Sequence, residues 1–169
     1  MKKQFVRKAL ALAALALVQG WSTEAHADEV FTNIEADPRS EFWLDSGFAT
    51  YHFNRGKDLN GANWGLGFEY RFSGTMAATA GRFHNSDREY SSYAGVIWQP
   101  WALGPVHLGA AIAAFNGYPH MRDGGWFPAL IPTLTWELPR VGVNVGVIPS
   151  YKDRLYGGIS LQLKIRLSQ

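Results

Sequence analysis

Residues 159–167 have the sequence ISLQLKIRL, in which apolar and polar side chains alternate without a break. A period of two places the apolar side chains on one face of an extended strand and the polar ones on the other. Similar segments recur, and we expect eight strands, at residues 42–53, 63–73, 75–84, 90–99, 105–115, 127–137, 140–149 and 155–167. Most have about ten residues, the length that a tilted strand needs to cross a bilayer. The pattern predicts an all-β fold, an eight-stranded antiparallel up-and-down transmembrane β-barrel.

The first 27 residues have the organisation of a secretory signal peptide. Three basic residues, Lys2, Lys3 and Arg7, precede a run rich in Ala and Leu, and residues 25–27 form an A-x-A cleavage site. The apolar run is too short to span a bilayer as a helix. We therefore expect residues 1–27 to be removed, residues 28–41 to form a short polar leader and residues 42–169 to form the barrel.

The connections between the expected strands alternate in length. Polar or Gly-rich and mostly long connections lie near residues 54–62, 85–89 and 116–126, whereas tight turns with Gly or Pro lie near residues 74, 100–104 and 138–139. Short turns at one end and longer loops at the other are typical of bacterial outer-membrane barrels. Together with the export signal, this predicts a protein of the bacterial cell outer membrane.

Aromatic residues cluster near both ends of the expected strands. Those towards the long loops are Tyr51, Phe53, Trp64, Tyr90, Tyr93, Phe115, Trp126 and Tyr156, and those towards the short turns are Phe42, Trp43, Phe72, Trp98, Trp101 and Trp136. Two belts with aliphatic residues between them are expected at the two interfaces of a membrane. The alternative is a secreted β-sandwich with an aromatic-rich core.

Composition excludes several classes of site. The chain has no cysteine, which excludes disulfides and thiolate metal sites, and its net charge is only +2, which gives no reason to expect nucleic acid as a partner. No metal-spaced His pair or phosphate-binding Gly-rich loop occurs, so we expect no cofactor. A barrel this small is expected to be a monomer with a lumen filled by side chains. The expected luminal charges are Glu69, Arg71, Lys164 and Arg166, which we expect to pair with one another.

Three prolines interrupt neighbouring strands near the long loops. Pro128 and Pro132 lie within the expected sixth strand, and Pro149 ends the seventh. Proline cannot donate to a strand ladder, and a closed barrel has no edge strand to accommodate it. We therefore expect pairing between these strands to be broken towards the long loops, which in a membrane would be a lateral opening between lipid and lumen.

Polar residues with catalytic potential lie at the same long-loop rim. His52 ends the first expected strand, and Asn85, Ser86 and Asp87 follow the third, which runs in the same direction. A serine hydroxyl with an imidazole base and a carboxamide or carboxylate to orient it is an arrangement for nucleophilic catalysis.

Several short motifs, in order along nearly the whole mature chain, resemble the lipid A palmitoyltransferase (PagP) family. The segment from Phe83 to Ser86, followed by Tyr90, Ala94, Gly95 and Trp98, is similar to its second-loop signature. Residues 63–68, NWGLGF, resemble its second strand, residues 147–150, VIPS, resemble the turn before its last strand, and His52 matches the position of its essential histidine.

The resemblance implies a barrel whose lumen holds an acyl chain and whose outer rim moves a palmitoyl group from phospholipid to lipid A. It implies His52 and Ser86 as catalytic residues, and Pro132 and Pro149 as the sides of a lateral lipid gate. Asn85 stands at the position of the family's catalytic aspartate, so that Asp87 would have to supply the charge. Ile97 stands at the position of a luminal glycine that leaves room for a long acyl chain in the family, which implies a shorter acyl chain or none.

The expected partners are phospholipid, lipopolysaccharide and the outer-membrane assembly machinery. The chain nevertheless ends without the terminal aromatic residue that is the usual assembly signal, and Gly47 and Asn63 replace prolines of the family's second gate.

Two other functions are compatible with the sequence. In the first, His84 and Ser86 resemble the H-x-S nucleophile pair of outer-membrane lipid A deacylases, with Glu89 to orient His84. Residues two apart on a strand point to the same face, so a hydrogen bond between them is feasible. In the second, the chain is a non-enzymatic small barrel that stabilises the membrane or binds a ligand, since one fold carries many functions.

Overall fold

The computed structural model describes residues 30–152 and 154–168, and the expected signal peptide at residues 1–27 lies outside them. The described chain contains nine strands, namely β1 (Phe31–Asn33), β2 (Pro38–His52), β3 (Ala62–Ser73), β4 (Met76–His84), β5 (Tyr90–Leu103), β6 (Val106–Phe115), β7 (Phe127–Glu137), β8 (Val141–Ile148) and β9 (Gly158–Ser168). Strands β2 to β9 pair antiparallel with their neighbours in the chain, and β2 also pairs with β9. This closes an eight-stranded up-and-down barrel and confirms the predicted fold.

Two strands at the short-turn end are longer than predicted. β2 begins at Pro38, and β5 continues past Pro100 to Leu103. The extension of β5 continues beyond the point where β4 begins. There β1 pairs with β5, with Asn33 opposite Trp101. Part of the segment expected as a leader, residues 28–41, therefore belongs to the sheet, because the end of β5 offers free backbone groups on that side.

The connection from β6 to β7 contains one short 3₁₀ turn, Arg122–Gly124. Within the described residues, no helix is long and apolar enough to cross a membrane.

Alternation along the strands produces an apolar outer surface and a polar lumen. Outward side chains such as Ile112, Leu130 and Leu163 are between 55% and 59% exposed. The buried residues include many polar ones, among them Gln99, Thr135 and Asn144. This inverted distribution is compatible with an outer-membrane barrel, in which lipid and not water covers the outside.

The predicted aromatic belts need three corrections. Trp43 is fully buried in the lumen, and Tyr93 and Phe115 stack on each other inside it with ring centroids 5.8 Å apart. The direction of these rings follows from the alternation, since Trp43 shares its face with the buried Glu41 and Asp45, and Tyr93 shares its face with the buried Ser91 and Ile97. Large exposed rings at the two ends of the barrel include Trp64, Tyr90, Trp126, Phe42, Trp98 and Trp101.

The short-turn half of the lumen is filled by a buried ionic network. Lys164 Nζ lies 2.9 Å from Glu69 and 2.7 Å from Glu137, and Arg71 Nη2 lies 3.2 Å and 2.8 Å from the same two carboxylates. The predicted pairing of Glu69, Arg71 and Lys164 is thus confirmed. Arg166 differs from the prediction, since its partner is Glu41 at 3.3 Å.

Pairing between β7 and β8 is incomplete, as the prolines predicted. β6 and β7 share ten residue pairs along their whole length, whereas β7 and β8 share five, from Thr133 opposite Gly146 to Glu137 opposite Gly142. Residues 127–132 of β7 form no ladder with the end of β8, residues 147–148, or with Pro149, which follows it. We call this unpaired part, next to the long loops, the β7–β8 seam.

Candidate functional site

A cavity of about 120 Å³ occupies the long-loop half of the lumen. Most of its wall is apolar, and on β6 the lining runs from Ala111 to Phe115, a length of about 13 Å at the usual rise per residue. The polar side chains of Thr135, Asn144 and Gln162 also line it. An apolar pocket with a polar end is suited to a short hydrocarbon chain.

Aromatic rings surround the cavity below its mouth. Phe48 contacts Phe83 and Tyr93 with ring centroids 4.9 Å and 5.8 Å away, and Phe115 packs on Phe127 at 6.3 Å. The Tyr93 hydroxyl lies over Gly67, where a Cβ would overlap it, so the missing side chain allows this ring to enter the lumen. Ile97 is 8% exposed and lines the cavity, and its role as the floor of an acyl-chain pocket stays a prediction.

His52 lies at the rim of this lumen, on the same face of β2 as Thr50. Its Nε2 atom is 3.2 Å from the backbone oxygen of Asn60, and its buried Nδ1 atom has no hydrogen-bond partner within the described chain. A carbonyl only accepts, so the proton of the neutral imidazole is on Nε2. The lone pair of Nδ1 is then free to take a proton, as a general base requires.

Ser86 lies at the same rim and lines both the luminal cavity and a smaller pocket beside it. Its backbone oxygen accepts a 2.9 Å hydrogen bond from the backbone N–H of Asn60. Asn60 therefore binds both His52 and the Ser86 segment, and it brings the two predicted residues to one edge. Their side chains make no hydrogen bond with each other.

Asn85 is fully buried and holds the β4–β5 loop together. Its amide nitrogen donates to Ser91 Oγ at 2.9 Å and to the Gly117 carbonyl at 2.8 Å. Its oxygen accepts from the backbone N–H groups of Asp87 and Glu89 at 2.9 Å and 3.0 Å. These bonds use both amide donors and the acceptor oxygen, so the side chain of Asn85 does not orient His52.

Asp87 is the carboxylate that acts electrostatically on His52. It lines the small pocket together with Ser86. Partial burial raises the pKa of Asp87 above its usual value, while His120 and His52 oppose that shift. Desolvation is the larger effect, so the folded state disfavours the charged form of Asp87.

Replacing Asp87 with asparagine is expected to stabilise the barrel at pH 7 but not at pH 3. A raised folded-state pKa means that stability is lost as the pH rises through that pKa and the buried carboxylate ionises. Asparagine cannot ionise and so avoids this loss. The free energy of unfolding of the variant should therefore exceed that of the parent by an amount that increases with pH. Urea unfolding between pH 3 and pH 8 measures it, and a variant that is less stable than the parent at pH 7 would contradict the assignment.

His84 lies on the outer side of the barrel, away from the cavity. Its ring stacks on Trp64 at 5.7 Å and meets the edge of Tyr90 at 5.5 Å, and both aromatic rings are exposed. Ser86 instead lines the lumen, because the chain turns directly after β4. Within the described residues, His84 and Ser86 do not form the hydrogen-bonded pair that a deacylase requires.

Sequence reasoning missed Asn60 as the residue that joins the two sides of the rim. It lies in a polar loop, and loop asparagines usually bond their own backbone, as Asn60 also does with Ala62. Nothing local distinguishes it from Asn54, which bonds only the nearby Gly56 among the described residues.

Comparison with known proteins adds no family assignment. No protein-family model matches the chain. A search of curated proteins finds no match either.

Proposed function

We propose that this chain is an outer-membrane lipid acyltransferase that takes an acyl chain of a phospholipid into its lumen and transfers it to lipid A. One observation carries the proposal. The cavity is lined at once by Ile131, Ile148 and Pro149 of the β7–β8 seam and by Ser86 of the rim. A lipid chain that enters sideways through the seam thereby reaches Ser86 through a mostly apolar cavity.

The proposed chemistry is acyl transfer through the rim serine. Ser86 Oγ attacks the ester carbonyl of the donor, its proton passes to Nδ1 of His52, and lysophospholipid leaves with that proton. A hydroxyl of the acceptor then attacks the acyl-serine, again with His52 as the base, and Ser86 recovers its proton. Asp87 supports the transient imidazolium by its charge. The side chains must approach each other when substrate binds, as catalytic groups of empty sites often do.

A second candidate function is lipid binding without catalysis. Two observations favour it. The side chain of Asn85 is fully occupied by hydrogen bonds within the loops, so it cannot orient His52, and the side chains of His52 and Ser86 form no hydrogen bond with each other. The cavity and the seam serve this function equally well. In both cases the partners are membrane lipids, and a single barrel contains the whole site.

Mass spectrometry of lipids from cells with and without the gene decides between these functions. Acyl transfer adds one acyl chain to lipid A and produces lysophospholipid in matching amount, and the mass gives the chain length. Unchanged lipid A, with the folded barrel present in the outer membrane, would reject transfer and leave lipid binding. Free fatty acid with a lighter lipid A would instead indicate a deacylase.

Locking the seam is expected to reduce acyl transfer at least tenfold. Continuing the β7–β8 register places Pro132 opposite Val147, both on the outer face, and the natural chain has no cysteine to interfere. A P132C/V147C disulfide would close the opening, and a reductant should restore transfer.

The matched control for this experiment is L134C/V145C, since Leu134 and Val145 are already paired and also face outward. Oxidising this pair should leave transfer unchanged. Equal activity of the oxidised and reduced P132C/V147C protein would exclude the seam as the entry path.

A further inference from the structure

Three strands on the wall away from the seam carry an ordered group of aromatic residues, of which Trp64 and Tyr90 are exposed and His84 is half-buried. His84 of β4 pairs with Tyr90 of β5, and continuing the β3–β4 register places Trp64 of β3 opposite His84, in one outward row at the long-loop end. His84 stacks nearly parallel on Trp64, and Tyr90 meets the edge of Trp64 at 5.6 Å. Trp64 is 61% exposed and Tyr90 48% exposed. We call these three residues the aromatic shelf.

Arg82 lies directly below the shelf on the same outer face. Its guanidinium is 4.9 Å from the centre of the Tyr90 ring. Arg71, Lys164, Arg166, Arg39 and Arg88 form ion pairs, whereas Arg82 has neither an ion pair nor a side-chain hydrogen bond within the described chain. An unpaired arginine on a lipid-facing wall is tolerated near the interface, where its donors reach anionic headgroups.

The surface beneath Arg82 is apolar and unpartnered. Leu66 lies beside Arg82 in the register and Phe68 lies beside Ala80 in the next outward row. Leu66 and Phe68 are 64% and 57% exposed. From the rim downward, the wall thus presents aromatic rings, one cation and then hydrocarbon, which suits an anionic lipid whose polar headgroup lies at the interface and whose acyl chains lie below it.

We propose that this wall binds the phosphorylated sugar headgroup of lipid A, with a phosphate on Arg82 and a sugar ring on the aromatic shelf. The planar guanidinium fits two phosphate oxygens, and the charges are complementary. The C–H face of a sugar packs on an exposed aromatic ring, and the acyl chains cover Leu66 and Phe68. The site lies on β3 to β5, and β6 and β7 separate it from the β7–β8 seam on the shorter way around the barrel, so that it is distinct from the entry of the donor lipid.

This inference rests on the outer-membrane placement within the proposed function, but it does not require acyl transfer. Native mass spectrometry of the refolded barrel in detergent measures it, with bisphosphorylated lipid A as the probe. The Arg82→Gln variant should bind this lipid about tenfold more weakly, which is the loss expected for one charge-assisted phosphate contact. Lipid A from which the phosphates have been removed should bind the parent and the variant equally weakly.

The matched control is Arg55→Gln. Arg55 also lies over a tyrosine ring at the long-loop end, 5.0 Å from the centre of Tyr51, but its Nε donates to the Tyr51 hydroxyl at 3.0 Å and it lies in the β2–β3 loop above the wall. This variant should bind lipid A as the parent does. If Arg82→Gln and Arg55→Gln weaken lipid A binding equally, the binding depends on general charge attraction and the proposed site is wrong.

Two further measurements separate the possible failures. The first is competition with phosphatidylglycerol. If phosphatidylglycerol displaces bound lipid A as strongly as unlabelled lipid A does, the site is a general one for anionic lipids, which would contradict a site for a phosphorylated sugar. With the seam locked by the P132C/V147C disulfide, lipid A should still bind, since the proposed site is outside the lumen. If the disulfide abolishes lipid A binding, lipid A binds in the lumen and the proposed outer site is wrong. If the disulfide abolishes only acyl transfer, the result concerns the proposed activity and leaves the outer site standing.

Discussion

Replacing Lys164 with methionine is expected to lower the free energy of unfolding by about 3–5 kcal/mol. Lys164 is fully buried and touches both Glu69 and Glu137, and its Nζ also lies 4.6 Å from the centre of the Trp43 ring. Without the ammonium group, two carboxylates share one remaining cation, Arg71, inside the barrel. Breaking a buried ion pair costs far more than forming it contributed, because the charges that remain cannot regain water.

Urea unfolding of the barrel in lipid vesicles measures this loss. The matched control is Arg88→Met, which breaks the exposed pair with Asp58 and should cost less than about 1 kcal/mol. Adding Glu69→Gln to Lys164→Met should recover part of the stability, because it removes the carboxylate that the first change left without its ammonium partner. A loss below about 1 kcal/mol for Lys164→Met alone would mean that the network is not a coupled unit.

Replacing His52 with asparagine, or Ser86 with alanine, is expected to reduce acyl transfer by about 10²- to 10⁴-fold while the barrel stays folded. Ser86 lines the cavity and His52 is joined to the Ser86 segment through Asn60, and the exchanges remove the proposed nucleophile and the proposed base. The double variant should lose little more than either single variant, because residues that act as one unit do not contribute additively.

The matched control for His52 is His107→Asn. His107 also has a buried Nδ1 atom without a partner in the described chain, but it lies on β6 next to the short turn, opposite Ala102 and Thr135. Its replacement should leave the rate of transfer unchanged. Full activity of Ser86→Ala would exclude an acyl-serine, and full activity of both single variants would leave lipid binding as the function of the rim.

Much of the barrel follows from local periodicity. The alternation of residues 159–167 predicts which side chains face inward, and Gln162 and Lys164 are indeed buried while Leu163 is exposed. The break between β7 and β8 follows equally from chemistry that is local to Pro128, Pro132 and Pro149. Each of these properties depends on a residue and its immediate neighbours, so no long-range information is needed.

The candidate site depends on contacts that are distant in the chain. His52 contacts the carbonyl of Asn60, and Asn60 in turn binds the backbone of Ser86, 26 positions further on. Asn85 matched a catalytic position by sequence, yet the carbonyl of Gly117 and the hydroxyl of Ser91 occupy its amide. Which partner an asparagine takes depends on which loops meet at the rim, and barrel closure decides that.

Taken by itself, the sequence determined the eight barrel strands, the faces of most of their side chains and the position of the seam, because a period of two and the missing N–H of proline act within a strand. The tertiary structure alone decided that Glu137 joins Glu69 and Lys164, that His84 points away from Ser86, and that the seam and the rim open into one cavity. Those features arise when eight strands close with a particular stagger, which brings together residues that no local pattern relates.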